Sequence, residues 1–217
     1  MRISTAVLGL NWGLISVPTK RLRAKVRRAE RAIAAALLGG DYRVTPEGLI
    51  VLDEFRPQGV YRHRAPRRER DFIEDHNLLV DEGILKTLGV MFGTDTKLAG
   101  WYIALHAGTA TPTNTLKAAN YASTMNEITS LSEGYSNTTR PAWAPAQPAA
   151  NGIDNYASEA TFNMVTAASI TVQGAALVSD ATRGGTGGVL ASCAKFDNAR
   201  ELYNEPFDVG YKVSLTD

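Results

Sequence analysis

The chain has 217 residues, of which 44% are apolar, with one cysteine and a formal net charge of +1. That composition excludes wholesale disorder, an intrachain disulfide and a thiolate metal cluster, and no apolar run approaches the ~20 residues of a membrane-spanning helix. The small net charge hides a split: residues 1–70 hold 15 basic and 6 acidic side chains, residues 71–217 hold 8 and 16. A basic extension joined to an acidic body favours attachment or assembly. The division reads as 1–71, an attachment region, and 72–217, a β-rich body.

The opening MRISTAVLGLNWGLISVPTKR is broken at Asn11 and Gly13 and has no small-x-small site after it, so a cleaved leader is not expected. Residues 19–38 read as a helix, with Leu22, Val26, Ala29, Ile33 and Leu37 on one face and Gly39-Gly40 as the stop. The other face carries Lys20, Arg21, Arg23, Lys25, Arg27, Arg28 and Arg31. Basic side chains in the first turns oppose the helix macrodipole, a cost that an acidic protein surface or a phosphate backbone would offset. The helix has no bulky aromatic to anchor it in a bilayer, so no membrane partner is expected.

Tyr42–Val44 and Leu49–Leu52 read as a small hairpin around Pro46-Glu47-Gly48. After it, Arg56, Arg62, Arg64, Arg67, Arg68 and Arg70 accompany Pro57, Gly59 and Pro66, which reads as an extended arm that is mobile or ordered across a neighbour. The candidate partner-binding residues are the seven helix cations above together with Arg62, Arg64, Arg67, Arg68, Arg70 and Trp143.

The body opens with a helix of roughly three turns that carries the apolar positions Leu79, Ile84, Leu85, Leu88 and Val90, with Asp81 or Glu82 in its opening turn correctly placed against its dipole and an end near Gly89 or Gly93. Alternating residues then predict strands over 101–108, 160–165, 169–179, 188–196 and 209–216. The fold class is mainly β: an antiparallel β-sandwich or jelly-roll-like body with one short helix, preceded by the basic helix and arm. The long segment 109–158 reads as too polar for a buried core, apart from a short helical turn at Tyr121, Met125 and Ile128 and an anchor at Trp143, packed over a sheet edge or against a partner.

Chemistry has little footing. His63, His76 and His106 stand in unrelated contexts, and none has a second histidine at metal-ligand spacing. Cys193 lies in an apolar strand and reads as an inert core thiol. Arg183-Gly184-Gly185-Thr186-Gly187-Gly188 lacks the Gly-Lys-Ser/Thr ending of a phosphate loop and precedes a strand, so it reads as a hairpin tip. No catalytic residue, metal ligand or cofactor is expected.

The ordered segments DHNLLVDEGI (75–84), GWYIALHAGTATPT (100–113), TRPAW (139–143), ATFN (160–163), ITVQGAALVSDATRGGTGGVLASCAKFDNAR (170–200) and GYKVSLT (210–216) resemble a family of small virion structural proteins of tailed bacteriophages. The resemblance covers about residues 72–217. It implies a non-enzymatic, β-rich module repeated on the particle, as a capsid decoration or cement protein or as a collar or head-tail connector subunit. The implied partners are the major capsid or portal protein and further copies of the chain, with a trimer favoured by three-fold lattice positions. A DNA-binding internal or packaging protein is the remaining alternative.

Overall fold

The computed structural model describes residues 42–45, 48–51, 56–149 and 152–216. The expected basic helix, with Lys20, Arg21, Arg23, Lys25, Arg27, Arg28 and Arg31, lies outside them. Two compact units divide between Glu54 and Phe55. In the first, β1 (Tyr42–Thr45) pairs antiparallel with β2 (Gly48–Val51), the hairpin expected from the Pro-Glu-Gly turn.

The second unit opens where the sequence predicts an arm. Residues Arg56–Arg64 form β3, which pairs in unbroken antiparallel register with β13 (Pro206–Thr216), from Arg56↔Thr216 to Arg64↔Asp208. The breaker residues mislead for a local reason. Pro57 lies beyond the stretch of β3 that pairs with β4 (Ile73–His76), so only one neighbour needs its backbone there. Gly59 is required by close approach: a Cβ would sit 2.4 Å from the Tyr211 hydroxyl. β3 thus belongs to the second compact unit, Phe55–Asp217. With that boundary the charge split shrinks to 9 basic and 5 acidic residues in 1–54, against 14 and 17 in 55–217.

The first sheet runs β4-β3-β13-β10-β7, with β10 spanning Ala160–Val165 and β7 Gly134–Tyr135, while β9 (Gly152–Asp154) also pairs with β13. The second runs β5-β12-β11-β6-β8, made of Leu78–Leu79, Leu190–Leu202, Ile170–Val178, Trp101–His106 and Ala142–Trp143 respectively. Every pairing is antiparallel. The inner faces share one core, in which Tyr61, Phe162, Phe207, Val209 and Tyr211 meet Ile103, Leu105, Ala175, Leu177 and Phe196. Strict alternation supplies that face in β10, where Ala160, Phe162 and Met164 are buried while Thr161 and Asn163 are exposed. In β11 an irregularity between Val172 and Gly174 shifts the parity, so Val172 and Ala175 face the same core three residues apart.

The second sheet is covered on its other face too. Ala104, Ala176, Val178, Leu190 and Cys193 pack against Leu116, Ala118, Tyr121 and Met125, contributed by the segment around a second helix. The described helices are α1 (Asp81–Phe92) and α2 (Ala118–Thr124), two rather than the one expected. The 109–158 segment thus contributes to a core that its overall polarity conceals. Tyr121 and Met125 are fully buried one turn apart, the helical spacing read from the sequence.

A buried ion pair fixes this long segment. Arg140 donates from Nε and Nη2 to Glu127 Oε1 and Oε2 at 2.8 and 2.6 Å, and both side chains are completely buried. Arg140 Nη1 also donates to the Asp180 carbonyl (2.8 Å), and the Gly184 N–H donates to Glu127 Oε2 (3.2 Å). This binds the glycine-rich β11–β12 tip, where Gly184 and Gly188 take φ of 69° and 81°, to the covering segment. Breaking one side of such a pair leaves an uncompensated buried charge. Glu127→Gln is expected to lower unfolding free energy by about 3 kcal/mol in denaturant titration. Truncation supplies a second prediction: residues 55–217 fold with a cooperative transition, whereas residues 71–217, which lack β3, do not.

Candidate interaction surfaces

The arginines expected to form an attachment arm divide into two groups. Arg62 ion-pairs with Glu159, donates to the Tyr156 carbonyl at 2.7 Å, and lies 3.5 Å over the Tyr156 ring and 4.3 Å over Phe72. Arg64 lies 4.2 Å over Phe72, with its Nε 3.7 Å from the Asp208 carboxylate. Arg68 pairs with Glu205 at 2.7 Å and donates to the Glu201 carbonyl at 2.8 Å. These three secure the outer surface of the first sheet to its neighbours, a use that the arm reading missed. Glu69, in the same turn, pairs with Arg200. Arg67 and Arg70 are exposed and have no carboxylate partner among the described residues; Arg67 reaches only the Asn204 carbonyl, at 3.3 Å. With Arg64, Arg68, Pro66 and Glu69 they line an open concavity of about 460 Å³ at the β3–β4 tip.

Trp143, the remaining expected contact residue, is half-buried on the edge strand β8. Its indole Nε1 donates to the Tyr211 carbonyl at 3.0 Å, joining the edge of the second sheet to β13 of the first. Arg183 of the glycine-rich tip donates to the Ser130, Tyr135 and Asn137 carbonyls at 2.6, 2.9 and 2.8 Å. Both residues are committed to the body.

Helix α1 presents a different surface. Glu82 Oε2 accepts from the Ala118 and Leu190 N–H groups at 2.8 and 2.7 Å, which ties the first turn to α2 and β12. Gly83, the helix's one buried residue, rests on Ala191: a Cβ there would come within 2.5 Å of the Ala191 Cα. Beyond that attachment the apolar residues face outward. Leu85 is 67% exposed, Leu88 47%, Met91 63% and Phe92 80%, while Ile84 and Val90 are each at 37%. Leu85, Leu88 and Phe92 follow helical spacing along one face. The ridge they form with Met91 exposes roughly 500 Å² of apolar surface, near the upper end of what a monomer leaves uncovered. The sequence locates this helix, but its apolar positions do not reveal that they face solvent.

Two pairs with the elements of acid–base or thiol chemistry lie in the interior. His63 Nε2 is 2.7 Å from Asp75 Oδ2, Asp75 Oδ1 accepts from the Asp197 N–H at 2.7 Å, and the His63 ring stacks 4.0 Å from Phe196. Burial lowers the His63 pKa, against the opposing pull of Asp75. Cys193 Sγ lies 3.8 Å from His106 Nε2, but that nitrogen is also 3.0 Å from the Ala194 carbonyl and donates its proton there. It therefore has no lone pair to accept the thiol proton, and burial pushes the Cys193 thiol well above its ordinary range. Burial also lowers His106 to about 4. His76 is exposed on β4. Among the described residues no group of three His, Cys, Asp or Glu side chains is arranged to hold a metal ion, and no helix is long and apolar enough to cross a membrane.

Because His106 and His63 bind protons less readily folded than unfolded, the stability they contribute is complete above the ordinary value of 6.5 and is lost as pH falls through that value toward 4. His106 alone accounts for up to about 3 kcal/mol of this decline. Urea titrations between pH 7 and 4 are expected to show the loss, and His106→Gln is expected to flatten it. Compared with known proteins, the chain matches no protein-family model and no curated sequence.

Proposed function

We propose that the chain is a non-enzymatic structural protein of a tailed-bacteriophage particle, which binds the capsid surface as a decoration or cement protein. The observation that carries the assembly part of this reading is the uncovered apolar ridge of α1, the largest group of exposed large apolar side chains on one element among the described residues. Water-exposed Leu, Met and Phe side chains in helical series have a use where another protein surface covers them. The particle itself comes from the resemblance of the ordered segments across 75–216. A sandwich of jelly-roll type belongs to the same proposal, since stacked antiparallel sheets suit a repeated virion module.

Attachment to the capsid is assigned to the basic stretch Lys20–Arg31, outside the described residues, with Arg67 and Arg70 of the β3–β4 tip as a second cationic contact. Arg62, Arg64 and Arg68 drop out of that role because they bind the body's own carboxylates and carbonyls. Trp143 drops out through its bond to Tyr211. Many modest contacts repeated over a lattice give firm retention without any one strong pair.

Imaging of intact particles tests the reading. Density for the body over the whole shell supports decoration, a single ring at one vertex moves the protein to the collar or connector, and density inside the shell favours the DNA-associated alternative. In particle-binding assays, replacing Arg23, Arg27 and Arg31 together by Glu is expected to lower occupancy at least tenfold, and replacing Arg67 and Arg70 by Glu to lower it less. Replacing Arg62 by Glu is expected to reduce body stability instead. Unchanged occupancy in the triple variant would remove the basic stretch from the attachment role.

A further inference from the structure

The occupant of the α1 ridge follows from the shape and chemistry of the ridge and its flanks. Leu85, Leu88, Met91 and Phe92 carry no charge, and the one cation of the helix, Lys86, is held by Asp95 of the same chain at 3.0 Å. The ridge itself therefore offers a partner only apolar contact, with charge confined to Asp81, Glu82 and Lys117 at its N-terminal end. Beside Ile84 runs a groove of about 320 Å³ walled by His76, Asn77, Leu78 and Leu79. Beside Leu85 runs another, of about 460 Å³, walled by Asp81, Glu82, Asn114, Thr115 and Lys117. The same surface thus offers an apolar ridge and grooves of a size that accept two or three side chains.

We infer that α1 is a self-association seam: the ridge of one copy seats in the groove beside the ridge of a second copy, and the reverse, about a two-fold axis near Leu88. Such an isologous contact needs one surface that is its own complement, which ridge and groove supply. A two-fold axis across the helices sets them antiparallel, so their macrodipoles oppose favourably. The ridge contributes roughly 500 Å² per copy, more than half of the ~800 Å² per partner of a specific interface, and the groove walls and flanks supply further area. An apolar centre is also the usual composition of contacts between identical chains. The biological role of this pairing rests on the assembly reading above, but the pairing itself is testable apart from it.

Sedimentation and light scattering on the full chain at micromolar concentration are expected to give twice the 23.4 kDa chain mass. Leu88→Asp and Phe92→Asp are each expected to weaken the dimer by about a hundredfold, with a native far-UV circular dichroism spectrum because both sites are exposed, and with a Tm that no longer rises with protein concentration. Leu88→Cys, in a chain whose own thiol is buried, is expected to form a disulfide-linked dimer under mild oxidation far faster than Thr138→Cys on an exposed loop. This second variant decides the matter if the aspartate variants fold poorly. A monomer at all concentrations, a mass of three chains, a dimer that survives Leu88→Asp, or equal cross-linking of the two cysteine variants would overturn the inference. A monomer that still decorates particles removes the pairing and leaves the virion reading. An α1-dependent dimer with no affinity for particles does the opposite.

Discussion

The bond between Arg140 and Glu127 is the contact on which the arrangement of the body depends. The second sheet has two apolar faces, and an antiparallel sheet in water needs only one of them covered by a second sheet. Its other face is sealed by a largely polar segment that packs Leu116, Ala118, Tyr121 and Met125 against it. Completely buried and bidentate, the ion pair fixes that segment, because its hydrogen bonds define one geometry and its carbonyl contacts reach the β11–β12 tip. Its desolvation is costly, so its value lies in selecting one path for the chain as much as in added stability.

The same economy explains the asymmetry of α1. The helix is fastened at its first turn by Glu82 and by the close fit of Gly83 on Ala191, whereas its last two turns hold no fully buried residue. A helix held only at one end gains little from its intrinsic propensity, since twelve residues are marginal alone in water. Its C-terminal half is therefore the part of the body that profits most from a neighbour. Polar contacts made within the chain, such as Arg62 with Glu159, leave the opposite impression in a sequence: they look available and are not.

The sequence carried more of the fold than of the site. Strands β6, β10, β11, β12 and β13, helix α1 and the β1–β2 hairpin were all legible, because alternation and turn chemistry are local signals. β3 was not, since an Arg-rich stretch with Pro57, Gly59 and Pro66 reads as coil unless the partner β13 is known, and its inward residues Tyr61 and His63 alternate with Arg62 and Arg64 in a pattern that charge counting obscures. Arg140 and Glu127 stood thirteen residues apart without any motif, visible only once the covering segment had folded over. The exposure of Leu85, Leu88 and Phe92 was equally hidden, because spacing tells which residues share a face and not which way that face points.

The pairing of β3 with β13 also governs how the chain acquires its shape during synthesis. The first strand of the body has its principal partner in the last one described, so Tyr61 cannot pack against Tyr211, at 4.3 Å between ring centres, until nearly the whole body has left the ribosome. Local hairpins such as β11–β12 form early, but the first sheet closes only after translation of its far edge, a high-contact-order step that is slow by nature. Through that interval the inward side chains of β3, Tyr61 and His63, lack their cover, which leaves the unfinished chain most open to misassociation until its far strand is made.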